Sequence, residues 1–228
     1  MNDKMRRYAF MGFLGAMFFV AGDWLIFVYP GRNPELNVDK VYALMPVWRF
    51  QTSTVLGWLG MGGILFGFYS LYCLVKELCG IWIQRATLLS LGGVLGISLA
   101  HFNLGILQFY VYKSVLEVEG NSAIAAAAAS MAGSWTTVLD GIIIALFYIQ
   151  LIVLIYLIMS GKVRISRKYI LMSPFGAIIL GLLWKAVFAG YTIAGGWGAC
   201  ESLGEGLMYL AVYICWKKKN DREKVRVL

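Results

Sequence analysis

The chain has 228 residues, of which 60% are hydrophobic and only 14% are charged, and its mean hydropathy is +0.73. Soluble domains carry about a quarter charged residues, so this composition excludes an ordinary soluble protein. Apolar runs of about 20 residues recur, each long enough to cross the hydrocarbon layer as a helix. The alternation typical of a membrane barrel is absent. The predicted fold class is therefore all-α, a polytopic membrane protein with one integral membrane domain over 1–228.

The hydrophobic runs predict a bundle of six transmembrane helices, because Pro, Gly or charged residues separate them. Pro30 and Gly31 end the first run, and Gly195 and Gly196 separate the last two by a short hairpin. The first run is too long for the apolar region of a signal peptide and carries Asp23, so it is retained as a helix. The predicted spans are about 8–29, 52–75, 87–112, 136–159, 170–194 and 198–216.

The distribution of basic residues predicts the orientation. With both termini in the cytoplasm, the cytoplasmic segments hold fifteen Lys and Arg residues and the outer segments hold four, which follows the positive-inside rule. The sequence thus predicts a multi-pass protein of the cell membrane with N-in/C-in topology. The net charge of +8 is explained by this topology and by contact with anionic membrane lipids. It does not indicate nucleic-acid binding.

The ionisable residues within the predicted spans all fall in the outer half of the bundle. A charge in hydrocarbon costs a few kcal/mol, so polar residues at one depth predict a shared, outward-facing pocket. Glu201 and Glu205 are one helical turn apart and share a face. The predicted pocket residues are Asp23, Trp24, Arg49, His101, Gln108, Asp140, Lys185, Glu201 and Glu205.

Three classes of function fit such a pocket. In the first, the protein is an enzyme or binding protein for a lipid-like or small amphiphilic substrate. Asp140, Glu205 and His101 are then the candidate catalytic acid–base groups, and the other six residues bind substrate, with Asp23 orienting it and Lys185 stabilising charge. In the second, the carboxylates serve a proton- or cation-coupled transporter. In the third, the charges form structural ion pairs only. Transport needs a route through both halves of the bundle, and the predicted inner half holds no charge to line it. A pocket protein is therefore favoured over a transporter.

The numbers of acidic and basic residues in and beside the predicted spans support the first two classes of function. Four carboxyls in the spans face one lysine, one histidine and Arg49, so at least one carboxyl is expected to be protonated or to bind a ligand cation. We expect Asp23, His101, Asp140 and Lys185 to converge with Glu205 on one cavity. No motif for a metal or nucleotide cofactor is present, so none is expected. The expected partners are membrane lipids and a small-molecule or lipid ligand, without nucleic acid. The oligomeric state is left open.

Two further segments carry structural predictions. The second span holds a ladder of small residues, which indicates close helix packing. Residues 121–134 begin with Asn-Ser and continue as an alanine run, which predicts a helix. That helix is either a lid over the pocket or an inert extension of the fourth span. The glycines of the ladder are Gly57, Gly60, Gly63 and Gly67.

Three short motifs carry a resemblance to a known group of proteins. They are GDWLIFVYPG at 22–31, MPVWRF at 45–50 and SLAHF at 98–102. With these motifs the chain resembles an uncharacterised family of bacterial polytopic membrane proteins with six helices. The resemblance implies the same topology and brings no known activity or catalytic residue.

Overall fold

The protein is described by a computed structural model that covers residues 2–28, 45–101, 106–134, 137–163, 165–189 and 191–227. The side chains of residues 98–101, 137, 192–195 and 220–227 lie outside the description. The described residues fold into eight α-helices and two 3-10 helices, which confirms the all-α class. The α-helices are α1 Asn2–Phe27, α2 Val47–Leu78, α3 Ile81–His101, α4 Gln108–Glu119, α5 Ser122–Ser134, α6 Thr137–Met159, α7 Pro174–Val187 and α8 Cys200–Val227. The 3-10 helices are Arg167–Leu171 and Thr192–Ala199.

Three of the described helices are long and apolar enough to cross a membrane, namely α1, α2 and α6 from Val138 onward. Helix α7 is shorter. Its 14 residues extend about 21 Å at 1.5 Å per residue, which is less than the roughly 30 Å of a hydrocarbon core. The predicted span 170–194 is therefore not one continuous helix. In the described part of the chain it is divided between the end of one 3-10 helix, α7 and the start of the other.

Helix α1 packs along α2 at glycine positions, where the two backbones approach closely. A Cβ atom on Gly15 would lie 2.5 Å from the carbonyl oxygen of Gly60, and one on Gly12 would lie 2.5 Å from the Cα of Gly67. Only a residue without a side chain fits such contacts. The predicted packing role is thereby confirmed for Gly60 and Gly67. Helix α8 completes this group by packing on α1, with the Tyr209 ring against Gly12 and Gly67.

Helix α6 has α3 as its main helical neighbour. A Cβ atom on Gly93 would lie 2.1 Å from the backbone nitrogen of Phe147, and one on Gly96 would lie 2.6 Å from the Ile143 side chain. Gly96 follows Gly93 in α3, whereas its partner Ile143 precedes Phe147 in α6, so the two helices are antiparallel. The backbones of α6 and α8 lie farther apart, although apolar side chains of both helices belong to one core.

Helices α4 and α5 pair with each other and build a second, smaller core. The chain turns between them at Gly120, whose φ of 63° is the left-handed conformation that glycine tolerates. The Asn121 carboxamide then accepts a hydrogen bond of 2.9 Å from the backbone of α5, which confirms the predicted helix start. Phe109 stacks on Phe50 of α2 with ring centroids 3.7 Å apart, and Ile26 of α1 joins this core. The lid role of α5 stays a prediction.

The two ends of the bundle differ in chemistry. At one end, the Ser70 hydroxyl donates to the Met5 carbonyl at 2.8 Å, and the Trp216 indole donates to the Ser70 carbonyl at 3.4 Å. The Lys219 ammonium contacts the Glu77 carboxylate nearby on the same two helices, α8 and α2. We call this the basic end. The N-terminal part of α1 and the last apolar turn of α8 therefore lie together there, and the opposite end holds Asp23.

Candidate functional site

Three acidic side chains approach one another away from the basic end. Asp23 lies near the end of α1, and Glu201 and Glu205 lie in the first turns of α8. The carboxyl of Glu201 is within electrostatic range of both Asp23 and Glu205, and Asp23 is within range of Glu205. Asp23 and Glu205 are each only 4% exposed, whereas Glu201 is exposed. We call these three residues the carboxyl cluster.

Hydroxyl groups donate to two members of the carboxyl cluster. The Ser202 hydroxyl donates to Oδ2 of Asp23 at 2.6 Å, and the Tyr148 hydroxyl donates to Oε1 of Glu201 at 2.6 Å. The first bond joins α8 to α1, and the second joins α8 to α6. Hydrogen bonds to ionised acceptors are short and stronger than neutral ones. These two therefore fix the positions of the Asp23 and Glu201 carboxyls.

Glu205 is as deeply buried as Asp23, and the hydrogen-bonding groups around it are only partly satisfied. The Tyr209 hydroxyl donates to Oε1 of Gln150 at 3.1 Å and is also within hydrogen-bonding reach of the Glu205 carboxyl. Gln150 is fully buried, yet its Nε2 donor has no partner among the described atoms, and neither has Oε1 of Glu205. An unsatisfied buried polar group costs about 1–3 kcal/mol. One buried atom on Gln150 and one on Glu205 therefore lack a described partner, and both side chains lie within hydrogen-bonding reach of the Tyr209 hydroxyl.

Polar contacts join α6 to α8 beside an apolar core to which both helices contribute buried side chains. Tyr148 and Gln150 on α6 face Glu201 and Tyr209 on α8. We call this region the α6–α8 seam. Phe175 of α7 lies at its side, with its ring centroid 6.3 Å from that of Tyr148, and is 52% exposed. The seam therefore combines a polar interior with an apolar flank.

Helix α7 begins beside the seam. Pro174 occupies its first turn, where the missing N–H is harmless. Gly204 permits the approach, because a Cβ atom there would lie 2.3 Å from the Cα of Pro174. Ser173 precedes the helix, is 1% exposed and has a hydroxyl without a described hydrogen-bond partner. The N-terminus of a helix carries partial positive charge, and that of α7 lies beside Gly204, the residue that precedes Glu205 in α8.

Trp24 follows Asp23 near the end of α1, and Arg49 of α2 reaches the same helix end. The Arg49 guanidinium donates to the Val28 carbonyl and, at 3.4 Å, to the Trp24 carbonyl. A cation at the C-terminus of a helix is stabilising, so this arginine caps α1. Trp24 is 41% exposed and approaches Trp184 of α7, with ring centroids 6.3 Å apart. Neither of these contacts reaches the carboxyls directly.

The remaining predicted residues lie at other places. The Lys185 ammonium lies 5.0 Å from the ring centroid of Trp197, and its side chain is exposed. Gln108 packs against Gly133 in the α4–α5 pair. Asp140 is 5% exposed, and its Oδ2 atom has no described hydrogen-bond partner. It lies two turns before Phe147 on the face of α6 that packs on α3. The side chain of His101 lies outside the described residues, so a convergence of all five charged groups on one cavity stays a prediction.

Four residues of the site have no counterpart among the predicted ones, namely Tyr148, Gln150, Ser202 and Tyr209. Ser202 and Tyr209 lie on the same helix as the glutamates, and Tyr209 follows Glu205 at the spacing of one turn. This spacing places Tyr209 on the same face of the helix as Glu205, and it is the sequence feature from which Tyr209 could have been predicted. Gln150 is an uncharged polar residue within an otherwise apolar helix, and such residues commonly bond across helices in membranes.

The described residues contain no group of three or more His, Cys, Asp or Glu side chains arranged to hold a metal ion. Carboxyl, phenol, hydroxyl and amide groups are what the site offers, and they suit hydrogen bonding and recognition of positive charge. The fold and the site together define an all-helical protein in which three described helices are long and apolar enough to cross a membrane, with a carboxyl cluster between α1 and α8 whose members Asp23 and Glu205 are buried. The chain belongs to a family of unknown function, DUF6796, which matches residues 1–219. No protein of curated function and no solved structure matches the chain.

Proposed function

We propose that the chain crosses the membrane six times, with both termini in the cytoplasm and the carboxyl cluster in the outer half. The excess of basic residues in the predicted cytoplasmic segments supports this orientation. The contacts at the basic end support it as well, because Met5 and Trp216 both bond to Ser70. Helices α3, α7 and α8 supply the other crossings in this proposal, with α7 extended by its flanking 3-10 helices.

Within that topology, we propose that the protein binds a small amphiphile through the α6–α8 seam. The observation that carries the proposal is Oε1 of Glu205, a buried acceptor without a described partner that lies near the carboxyls of Glu201 and Asp23. Leaving this atom unsatisfied in the bundle costs about 1–3 kcal/mol, and a bound polar headgroup removes that cost. The exposed Phe175 ring, next to Tyr148, offers an apolar surface for an alkyl chain.

A binding function is favoured over acid–base catalysis by the positions of the candidate catalytic groups. Glu205 belongs to the cluster, whereas Asp140 lies on the α3-facing side of α6. General acid–base catalysis needs both groups within hydrogen-bonding reach of one substrate. The contacts that surround Glu205 come from Tyr209, Glu201 and Asp23, an arrangement suited to holding a headgroup.

The proposal is tested with purified protein and a set of dodecyl amphiphiles that differ in headgroup. Binding of dodecylamine, dodecanol and dodecyl sulfate is measured by native mass spectrometry on the wild type, Glu205→Gln and the matched control Glu77→Gln. Glu77 is a partly exposed glutamate at the basic end. We expect saturable binding of at least one compound to the wild type and the control, and roughly tenfold weaker binding to Glu205→Gln. Equal binding to all three proteins would overturn the proposal.

A proton- or cation-coupled transporter is the second candidate. The observation that favours it is the short helix α7, which begins beside Gly204 within the bundle. Discontinuous helices that begin inside the membrane are typical of transporters. In proteoliposomes, a transporter would move dodecylamine or protons across the bilayer at a rate that falls in Glu205→Gln. Binding without Glu205-dependent flux excludes this candidate.

A further inference from the structure

We propose that the turn between α2 and α3, at the basic end, binds the headgroup of an anionic phospholipid through Lys76, Arg85 and Lys162. We call these three residues the headgroup patch, and all three side chains are exposed. The inference rests on the proposed membrane crossings, which bring the basic end to the membrane surface. It is independent of the carboxyl cluster and of the ligand proposed for it.

Hydrogen bonds gather the headgroup patch around one short turn. The Lys162 ammonium donates to the Leu78 carbonyl at 3.1 Å, so the segment that follows α6 lies against the last residue of α2. Across the turn, the Gln84 amide of α3 donates to the Lys76 carbonyl of α2 at 3.4 Å. Arg85 is the next residue of α3. Cations from α2, from α3 and from the segment after α6 therefore surround the same turn.

The charge of the headgroup patch is not balanced by nearby carboxylates. Glu77, the acidic residue next to Lys76, contacts Lys219 instead. Within the part of the chain that the structure describes, no carboxylate lies in ion-pair range of the three cations. The sequence contains no Asp or Glu over 78–116 or over 141–200. The phosphate of a lipid headgroup supplies the missing negative charge and accepts charge-assisted hydrogen bonds from Lys and Arg.

An apolar surface for the acyl chains continues from Arg85 along α3. Arg85, Leu88 and Leu95 are spaced three and seven residues apart, so they share one face of the helix. Leu88 is 50% exposed and Leu95 is 44% exposed, so the other described helices leave this face uncovered. The Trp82 ring lies 5.2 Å from the Arg85 guanidinium and is 76% exposed, and tryptophan is typical of the headgroup layer. A phospholipid thus meets cations beside its phosphate and leucines beside its chains.

The decisive experiment compares two lipids with the same chains and different headgroup charge. Dioleoylphosphatidylglycerol or dioleoylphosphatidylcholine is added to the purified protein in detergent, and bound lipid is measured by native mass spectrometry. We expect the wild type to bind the anionic lipid roughly tenfold or more tightly, because several cations attract it, and we expect high salt to reduce this preference. Equal affinity for the two lipids would overturn the inference.

Glycerol 3-phosphate separates a lipid from a soluble phosphate compound. It carries a phosphate but no acyl chains, so it should not displace the bound phosphatidylglycerol at an equal concentration. Displacement by this compound would show that the headgroup patch takes a soluble phosphate, and the inference would fail.

Variants locate the binding on the protein. Replacing all three cations of the headgroup patch with glutamine should make the affinities for the two lipids nearly equal. The matched control combines Lys4→Gln, Lys217→Gln and Lys218→Gln, which removes three other exposed cations and changes the net charge equally. The control should keep the preference for phosphatidylglycerol. An equal loss in both variants would mean that the preference follows net charge alone, which contradicts the headgroup patch.

A single substitution avoids a loss of stability. Lys162 holds the end of α2, whereas Arg85 makes no hydrogen bond among the described atoms and contacts the Trp82 ring only. Arg85→Gln should therefore leave the unfolding temperature without lipid unchanged and weaken phosphatidylglycerol binding several-fold. Unchanged lipid affinity in this variant contradicts the role of Arg85.

The inference and the proposed binding function fail separately. Glu205→Gln should lose dodecyl amphiphiles and keep the preference for phosphatidylglycerol. If this variant loses the lipid preference as well, the headgroup patch does not determine it and the inference fails. If it binds the dodecyl compounds as the wild type does and keeps the lipid preference, the proposed binding function fails and the inference stands.

Discussion

The Tyr148 hydroxyl donates a hydrogen bond of 2.6 Å to Oε1 of Glu201 and thereby joins α6 to α8. Several pairs of the described helices approach closely at glycines, as at Gly15 and Gly60. The α6–α8 seam adds polar contacts to an apolar core that both helices share. Glu201 is exposed, so this bond lies at the accessible end of the seam.

The first prediction concerns that bond. Replacing Tyr148 with Phe should lower the free energy of unfolding by only about 1 kcal/mol, because Glu201 is exposed and water replaces the lost donor. Ligand affinity should change more than stability does. The control is Tyr156→Phe on the same helix, which removes an exposed hydroxyl. A loss of several kcal/mol for Tyr148→Phe, measured by thermal or denaturant unfolding, would mean that the seam is a major structural interface.

A second prediction concerns the glycine contacts of α1 and α2. Gly15→Ala should destabilise the protein by about 1–3 kcal/mol, since its Cβ would lie 2.5 Å from the Gly60 carbonyl oxygen and the helices would have to separate. Gly62→Ala is the matched control, because no atom lies within 4 Å of a Cβ there. Alanine favours a helix over glycine, so the control should be neutral or slightly stabilising. Similar unfolding temperatures for both variants would contradict the close helix contact.

Lys185 provides the third prediction. If Lys185 formed a well-buried ion pair with a carboxylate, as the sequence allows, its removal would lower the free energy of unfolding by about 3–5 kcal/mol. The structure has it exposed and over the Trp197 ring, and an exposed cation–π contact contributes about 0.5–1 kcal/mol. We therefore expect Lys185→Met to reduce the free energy of unfolding by no more than about 1 kcal/mol. Trp197→Leu should abolish the effect of a subsequent Lys185 change. A larger loss would indicate a carboxylate partner.

The proposed orientation gives the fourth prediction. Single cysteines at Glu117, in α4, and at Lys168, in a 3-10 helix, are labelled in intact cells with a membrane-impermeant maleimide, after the native cysteines are replaced. The cysteine at Glu117 should react from outside, and that at Lys168 only after the membrane is permeabilised. Labelling of the Lys168 position in intact cells would reverse the topology and place the carboxyl cluster towards the cytoplasm.

Part of the site could be predicted from the sequence and part could not. Asp23, Glu201 and Glu205 were recognisable because a carboxylate within an apolar run is costly and therefore conspicuous. Lys185 was conspicuous for the same reason, and Arg49 because it directly precedes the predicted second span, but their sequence positions contain no information about their partners. A helix C-terminus holds the first and a tryptophan ring the second. Pairing across helices depends on rotation and register, which a single helix does not encode.

The sequence by itself determined the all-α class, the apolar helices and the carboxyls that lie within them, because hydropathy and charge act on each segment separately. Only the tertiary structure decided that Gln150 and Glu205 meet around Tyr209, that α7 is too short to cross the hydrocarbon layer on its own, and that α6 packs on α3 while leaving a seam beside α8. The physical reason is that these features depend on how closely two helices approach. In this protein, that distance is set by glycines on facing surfaces, such as Gly93 against Phe147 and Gly204 against Pro174.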